Sequence, residues 1–187
     1  MTMTRRAALR GVCLLPVITP ALAHESPQEV VRTRAGWPVM PFVLTDQHGR
    51  PFTQEQLADH WTFVLFADRA SQTRCDEALA ALVGVQRRIG RTEAVRSMQV
   101  WVVWLDAPPE PGQLRTWLAA FDPHFVATTG PQATLAALRD DLRTERGAPG
   151  PGMLLLIGPD ASRRAEYLPP YDVPWLTAAF LKARVGH

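Results

Sequence analysis

The chain has 187 residues, with 20 lysines and arginines against 18 aspartates and glutamates, so its formal net charge is +2. Hydrophobic residues make up 47% of the sequence and charged residues 20%, which is typical of a globular protein and excludes a disordered chain, a collagen or a coiled coil. Because no basic excess is left to neutralise phosphates, the composition also argues against nucleic-acid binding.

The first 23 residues have the three parts of a bacterial secretory signal. Arg5, Arg6 and Arg10 supply a positive start, a short apolar stretch follows, and the segment ends in Ala-Leu-Ala. The paired arginines are typical of the twin-arginine export route. We therefore predict a signal peptide over residues 1–23, cleaved after Ala23 to release a nearly neutral periplasmic protein. In the alternative, the segment stays uncleaved as a membrane anchor.

Cysteine usage becomes informative once the signal is removed. The chain has two cysteines, and Cys13 lies in the predicted signal, so the exported protein keeps only Cys75. A single thiol cannot form an internal disulfide, and it cannot run a two-thiol redox cycle by itself.

The exported part begins with short elements broken by turns. Residues 24–36 are polar and without periodicity, and they are predicted to be a flexible lead-in to one domain over residues 37–187. Residues 42–44 and 51–53 are predicted to be short strands separated by a turn. Thr53 is predicted to cap the helical turn that follows.

Buried strands and amphipathic helices alternate over the rest of the chain. The continuous apolar runs 61–66, 98–105 and 153–157 are typical of strands that are covered on both faces. Further strands are predicted at 125–126 and 163–168, and helices at 73–89 (capped by Thr73), at 114–121, from 131 and from 172. This order predicts an α/β sandwich with helices on both faces of a central sheet.

Residues 41–160 resemble the Sco/SenC family in the order and spacing of their motifs. The stretch PFVLTDQHGRPFTQEQLADHWTFVLF resembles the family's opening hairpin, short helix and first central strand, and CDEAL from Cys75 stands where the family has its second metal-binding Cys. The most specific match is VVWLDAPPEPGQLRTWLAAFDPHFVATTGPQATLAAL, and LLLIGPD resembles a late strand. The resemblance implies a thioredoxin-like fold, in which a central mixed sheet carries helices on both faces and an N-terminal hairpin. It also implies a role in delivering copper to cytochrome c oxidase.

The resemblance implies a copper site that this sequence does not complete. The family binds copper through a C-x-x-x-C pair and one distant His. Here Ser71 stands at the first Cys position, Cys75 at the second, and the His position falls at about Gly150. Because thiolates select copper(I) and a hydroxyl is a poor replacement, the metal site is predicted to be degenerate, with copper kept only as a candidate ligand.

Cys75 is the leading candidate for chemistry. It is predicted to lie just after a strand at the start of a helix, where the helix N-terminus and the neighbouring Arg69 and Arg74 favour the thiolate. Asp76 and Glu77 oppose that shift because a nearby negative charge disfavours a thiolate. The alternative is an idle, buried thiol.

His24 is a second candidate ligand, because cleavage after Ala23 would make it the first residue. Its free amine and imidazole would together chelate copper(II), which suits nitrogen ligands, and a second His would complete a three-nitrogen site. The available second ligands are His48, His60, His124 and His187. The alternative is that His24 is simply a residue of a flexible tail.

Asp106 is predicted to end the second central strand. It would then stand at the carboxyl edge of the sheet, where open α/β sheets place their functional groups. We expect it to border one shallow surface with Ser71 and Cys75. The alternative is that its carboxylate caps a loop.

Two functions are consistent with these residues. The first is an exported Sco/SenC-like accessory protein in copper handling or oxidase assembly, which acts mainly by binding a periplasmic client, with Cys75 or His24 as auxiliary ligands. The second is a redox protein whose single Cys75 attacks a disulfide or sulfenic acid of a client. The lone thiol favours the first, and no nucleophile-elbow, P-loop, dinucleotide or zinc motif suggests an ordinary enzyme. We expect no nucleic-acid partner, and membrane contact only if the signal is uncleaved.

Overall fold

The computed structural model describes residues 31–32, 38–107, 112–144 and 146–185. The predicted signal peptide, His24 and His187 lie outside these residues. Within them, no helix combines the length and the apolar character that crossing a membrane requires.

Eight strands form one mixed sheet in the order β1-β8-β7-β4-β5-β6-β2-β3. The neighbours β4, β5 and β6 run parallel, and every other pair is antiparallel. The strands are β1 Val31–Arg32, β2 Val43–Asp46, β3 Pro51–Thr53, β4 Trp61–Ala67, β5 Met98–Trp104, β6 Val126–Thr129, β7 Leu154–Ile157 and β8 Arg163–Tyr167.

The described residues include five α-helices and two 3-10 turns, and the last helix follows the last strand. The helices are α1 Gln72–Ile89, α2 Glu93–Arg96, α3 Gln113–Ala119, α4 Gln132–Asp141 and α5 Val173–Val185, and the 3-10 turns are Gln54–Leu57 and Arg69–Ser71. Thr53 caps the first turn as predicted, because its hydroxyl accepts a hydrogen bond from the Glu55 N–H and Gln56 completes the capping box.

The central strands are apolar on both faces because helices cover both. Every residue of β4 is buried, and β4 pairs in parallel with β5 from Trp61 opposite Met98 to Ala67 opposite Trp104. On one face, α1, α3 and α5 pack on alternate side chains such as Phe63. The predicted arrangement, with helices on both faces, is confirmed.

The opposite face is closed by α4 and the N-terminal β2–β3 hairpin. Their core is centred on Trp101, whose ring lies 5.1 Å from the rings of Phe42 and Phe52. The Trp101 indole N–H donates to the Thr128 hydroxyl at 2.9 Å, so its polar atom is satisfied inside the core. The predicted N-terminal hairpin is therefore part of the core.

The structure differs from the sequence prediction at three places. Helix α1 begins at Gln72 with Ser71 at its N-cap, so Thr73 lies inside the helix and does not cap it. The turn Arg69–Ser71 and helix α2 were not predicted, since elements this short have no readable periodicity. In the predicted lead-in, Val31 and Arg32 form β1 and pair with β8, so the prediction of a flexible segment does not hold for these two residues.

Candidate functional site

Cys75 lies at the carboxyl edge of the parallel strands, where the chain leaves β4. Asp68 follows β4 directly, the 3-10 turn Arg69–Ser71 comes next, and Cys75 is in the first turn of α1. Its side chain is completely buried in the core between the sheet and α1. The sequence therefore placed Cys75 correctly along the chain, although not at the surface.

Ser71 and Asp68 form a closed hydrogen-bonded pair beside this thiol. The Ser71 N–H and the Ser71 hydroxyl both donate to Asp68 Oδ1, at 2.8 and 2.5 Å, and the Asp68 N–H donates back to Ser71 Oγ at 3.3 Å. This reciprocal pattern is a capping box on the turn that leads into α1. Asp68 is consequently the cap of this turn, and the Ser71 hydroxyl donates its hydrogen bond to the Asp68 carboxylate.

The Cys75 sulfur is shielded from solvent but contacts polar atoms of the protein. Sγ lies 3.8 Å from Ser71 Oγ and 3.8 Å from the Phe66 carbonyl oxygen, and the Gly152 backbone N–H bonds to it. Burial raises the pKa of the thiol, and the charges of Asp68 and Asp76 raise it further. The contacts with Ser71 and Gly152 act in the opposite direction without reversing the shift.

Of the two interpretations that the sequence left open for Cys75, the structure favours the buried thiol over the thiolate. Arg69 and Arg74 are exposed, so their charges act through solvent and do not offset the cost of desolvating a buried anion. The buried thiol stays protonated at neutral pH, which matches the alternative reading of an unreactive core cysteine.

The loop before β7 reaches the same edge because β7 runs antiparallel to β4. Gly152 has φ +80°, and a Cβ there would come within 3.1 Å of Arg74 Cβ, so the close approach of this loop to α1 requires glycine. The Tyr171 hydroxyl donates to the Gly152 carbonyl and fixes the loop from the other side. Gly150 lies two residues earlier, and a Cβ built on it meets no atom within 4 Å.

Of the three positions that the family resemblance assigns to copper, Ser71 and Cys75 lie side by side and Gly150 lies in the loop that leads to Gly152, but their side chains do not fit the ion. Ser71 is committed to Asp68, Cys75 offers one protonated sulfur, and Gly150 offers no side chain. Among the described residues, no group of three or more His, Cys, Asp and Glu side chains is placed to hold a metal ion. The donor set lacks the paired thiolates that select copper(I).

The described histidines lie at the opposite edge of the sheet. His48 is in the β2–β3 turn, His60 precedes β4, and His124 precedes β6, next to Asp122, whose Oδ1 is 2.9 Å from the His124 Nδ1. None of these three imidazoles can therefore join Cys75 in one site. The proposed pairing of His24 with a second His concerns a residue outside the described part of the chain.

Asp106 stands at the predicted edge and caps the neighbouring turn. Its Oδ2 accepts a hydrogen bond of 2.8 Å from the Arg69 backbone N–H, two residues before Ser71. The loop-capping alternative describes this contact, and Asp106 acts on the edge by fixing the turn that carries Ser71.

Sequence reasoning missed Asp68, Gly152 and Tyr171 at this site. Asp68 had a local signal, because Asp three residues before Ser is a capping pattern. Gly152 ends the stretch GAPGPG at 147–152, whose composition predicts only a break between elements, and Tyr171 had no signal at all. Both are distant in sequence from Cys75, so only the folded chain brings them together.

Comparison with known proteins supports the resemblance. The sequence model of the SCO1/SenC family matches residues 33–149. No curated protein matches the sequence.

Solved structures of Sco proteins share the fold. Copper-bound ScoI from Arabidopsis thaliana is 20% identical, with a TM-score of 0.67 over 81% of this chain and 100% of that chain. Copper-bound yeast Sco1 is 17% identical, with a TM-score of 0.69 over 81% of this chain and 95% of that one. The thioredoxin domain of a thiol-disulfide oxidoreductase from Bacteroides vulgatus is 11% identical, with a TM-score of 0.59 over 79% of this chain and 98% of that one. The predicted thioredoxin-like fold is thereby confirmed.

Proposed function

The chain belongs to the SCO1/SenC family, and on that basis we propose that it is an exported accessory protein in copper handling or cytochrome oxidase assembly that acts mainly by binding a protein client. One observation carries the proposal. The Ser71 hydroxyl stands 3.8 Å from Cys75 Sγ and gives its proton to Asp68 at 2.5 Å, so this edge is built as a hydrogen-bonded cap. Because this cap uses the Ser71 hydroxyl within the protein, it supports a role through protein contacts and not through the family's metal site.

Export is supported by the sequence of residues 1–23. Expression in a Gram-negative host with intact secretion machinery, followed by mass spectrometry of the periplasmic fraction, tests it. The expected product begins at His24. An uncleaved chain recovered with the membranes would show that the segment is kept as a membrane anchor. A variant with Arg5→Lys/Arg6→Lys tests the twin-arginine route, because export by that route should be lost.

Copper in this proposal is a cargo that auxiliary ligands contact. His24, with its free amine, is the candidate ligand for copper(II), whereas the single buried thiol of Cys75 is not placed to hold copper(I). The test is a copper titration of the processed protein in both oxidation states against a competing chelator, with His24→Ala and Cys75→Ser variants. Tight binding lost in one variant identifies its anchor, whereas binding at the chelator's background removes copper carriage and leaves client binding alone.

The client-binding role is tested by complementation. A strain that lacks this protein is supplied with the wild type or with Cys75→Ser, and cytochrome oxidase activity is measured in its membranes. Because the buried Cys75 serves as a core residue in this proposal, the serine variant is expected to keep most of the activity. Complete loss of activity, in a variant that circular dichroism shows to be folded, would contradict the proposal.

A trapping experiment separates the proposal from the single-thiol redox alternative. That alternative needs an exposed thiolate, and the described structure gives Cys75 full burial and a raised pKa. A redox role predicts a mixed disulfide between Cys75 and a client whose second Cys has been removed. Trapping that adduct from the periplasm would favour the redox function over binding.

A further inference from the structure

A solvent-open cleft of about 760 Å³ lies beside the Cys75 edge, between the start of α1 and the first turn of α3. Its volume is within the range of roughly 300–1,000 Å³ that ligand sites occupy. The side chains that matter for its chemistry are Arg69, Gln72, Trp104, Gln113, Arg115 and Trp117. Cys75 is not part of its wall, so the cleft is distinct from the position where the family resemblance places copper.

Two arginine side chains lie in the wall of this cleft, and the negatively charged carboxylates of Asp76 and Asp106 lie beside it. Arg69 and Arg115 are among its lining residues, no described lining residue carries a carboxylate, and within the described ranges neither arginine forms an ion pair with a carboxylate. The nearby carboxylates are already used as acceptors. Asp106 accepts from the Arg69 backbone N–H at 2.8 Å, and Asp76 accepts from the Trp117 indole N–H at 2.7 Å. The two guanidinium groups therefore remain available to an anion.

Two indole rings give the cleft an apolar wall. Trp104 and Trp117 pack edge to face with their centroids 5.8 Å apart, and both indole N–H groups are satisfied within the protein. The surface that Trp117 leaves half-exposed is consequently ring carbon. An aromatic surface next to arginines is suited to a ligand that carries apolar and anionic groups side by side.

We propose that this cleft binds an acidic, partly apolar segment of a partner protein. Aspartate or glutamate side chains of the segment pair with Arg69 and Arg115, and an adjacent apolar side chain packs on Trp117. The amides of Gln72 and Gln113 provide donors and acceptors for the backbone of the bound segment. The inference rests on the client-binding function proposed above and gives the chemistry of the client.

The test measures binding of a fluorescein-labelled peptide of alternating glutamate and leucine by anisotropy. Its twin has glutamine in place of glutamate. The wild-type protein is expected to bind the acidic peptide at least about tenfold more tightly than the twin, and the preference should shrink as salt rises because the cleft is solvent-exposed. Equal binding of the two peptides would overturn the proposal.

A charge-reversal pair locates the site. Arg69→Glu/Arg115→Glu is expected to lose the preference for the acidic peptide. Arg87→Glu/Arg91→Glu makes the same change in net charge at exposed positions away from the cleft and should keep it. If both variants bind alike, attraction is a property of the whole surface and the cleft is not the site. If free glutamate displaces the labelled peptide as well as the unlabelled peptide does at equal concentration, the cleft binds a small carboxylate and the proposal of a protein segment is wrong.

Failure of this inference is distinguishable from failure of the proposed function. If the wild-type chain restores oxidase activity in the complementation strain but does not bind the peptide, the proposed function stands and the cleft is not a binding site for the client. A wild-type chain that does not restore oxidase activity removes the proposed function, whatever the peptide does.

Discussion

The double substitution Ser71→Cys/Gly150→His is expected to give this chain a copper(I) site that its own sequence lacks. Ser71 Oγ lies 3.8 Å from Cys75 Sγ. Two sulfurs that each lie about 2.3 Å from one ion are at most about 4.6 Å apart, so cysteines at both positions can share a metal without backbone movement. A side chain at Gly150 meets no atom within 4 Å, which leaves room for an imidazole at that edge.

The substitution has an energetic cost and a compensating gain. Losing the hydroxyl bond of 2.5 Å to the Asp68 carboxylate should cost about 1.5–3 kcal/mol, the usual value for a hydrogen bond to a charged group. Copper(I) at a hundredfold excess over its dissociation constant should return about 2.7 kcal/mol, or roughly 5–10 °C in Tm for a chain of this size. The apo variant should therefore melt below the wild type, and the copper form at about the wild-type Tm.

The assay is an anaerobic copper(I) titration against a competing chelator, combined with thermal unfolding. We expect one copper per chain in Ser71→Cys/Gly150→His, weaker binding in Ser71→Cys alone, and loss of the site when Cys75→Ser is added. The reasoning would be refuted by a folded double variant that holds no more copper than Gly150→His alone. That result would mean that restoring the family's ligands is not sufficient to make a copper(I) site at this edge.

Three further outcomes follow from the packing. Since burial raises the pKa of Cys75, the unfolded chain loses that proton first, so stability is full below the ordinary thiol pKa of about 8.5 and falls as pH rises toward the raised value. Cys75→Ala should flatten this slope in urea unfolding between about pH 8 and 9.5; an unchanged slope would contradict the assignment. Arg146 pairs with the fully buried Glu166 at 3.2 Å, so Arg146→Ala should destabilise the fold, by less than the roughly 3–5 kcal/mol of a fully buried pair because Arg146 is partly exposed. A double-mutant cycle with Glu166→Gln that shows no coupling would refute this. Gly84→Ala should lower Tm although alanine favours a helix more than glycine does, because the new Cβ would lie 2.8 Å from Val173 Cγ2. Adding Val173→Ala should restore the Tm. An unchanged Tm in Gly84→Ala would mean that α1 and α5 can move apart freely.

Local patterns were sufficient for most of the fold. The continuous apolar runs predicted β4 and β5 within a residue or two, because a strand covered on both faces has no polar side to interrupt it. The capping pattern at Thr53 was equally local and correct. The two-residue strand β1 could not be predicted, since it exists only through backbone pairing with β8.

The candidate site was predictable in its members and not in its chemistry. Ser71, Cys75 and Asp106 were predicted to lie at one edge and do so, because that edge follows from the order of strands and helices. The protonation of Cys75 was left open between a thiolate and a buried, idle thiol. Its sequence neighbours Arg69 and Arg74 suggested a thiolate, but both point into solvent while the sulfur is desolvated.

The sequence by itself determined which ligand atoms the protein offers at these positions, because side-chain identity is local. A serine at 71 and a glycine at 150 exclude a two-thiolate, one-imidazole set at the positions where the family resemblance places copper. The tertiary structure alone decided the environment of the remaining thiol, because desolvation and hydrogen bonding depend on residues distant along the chain. Gly152 and Tyr171 close the loop over Cys75. The same is true of the arginine-lined cleft, which exists only because β5, α1 and α3 converge at one edge of the sheet.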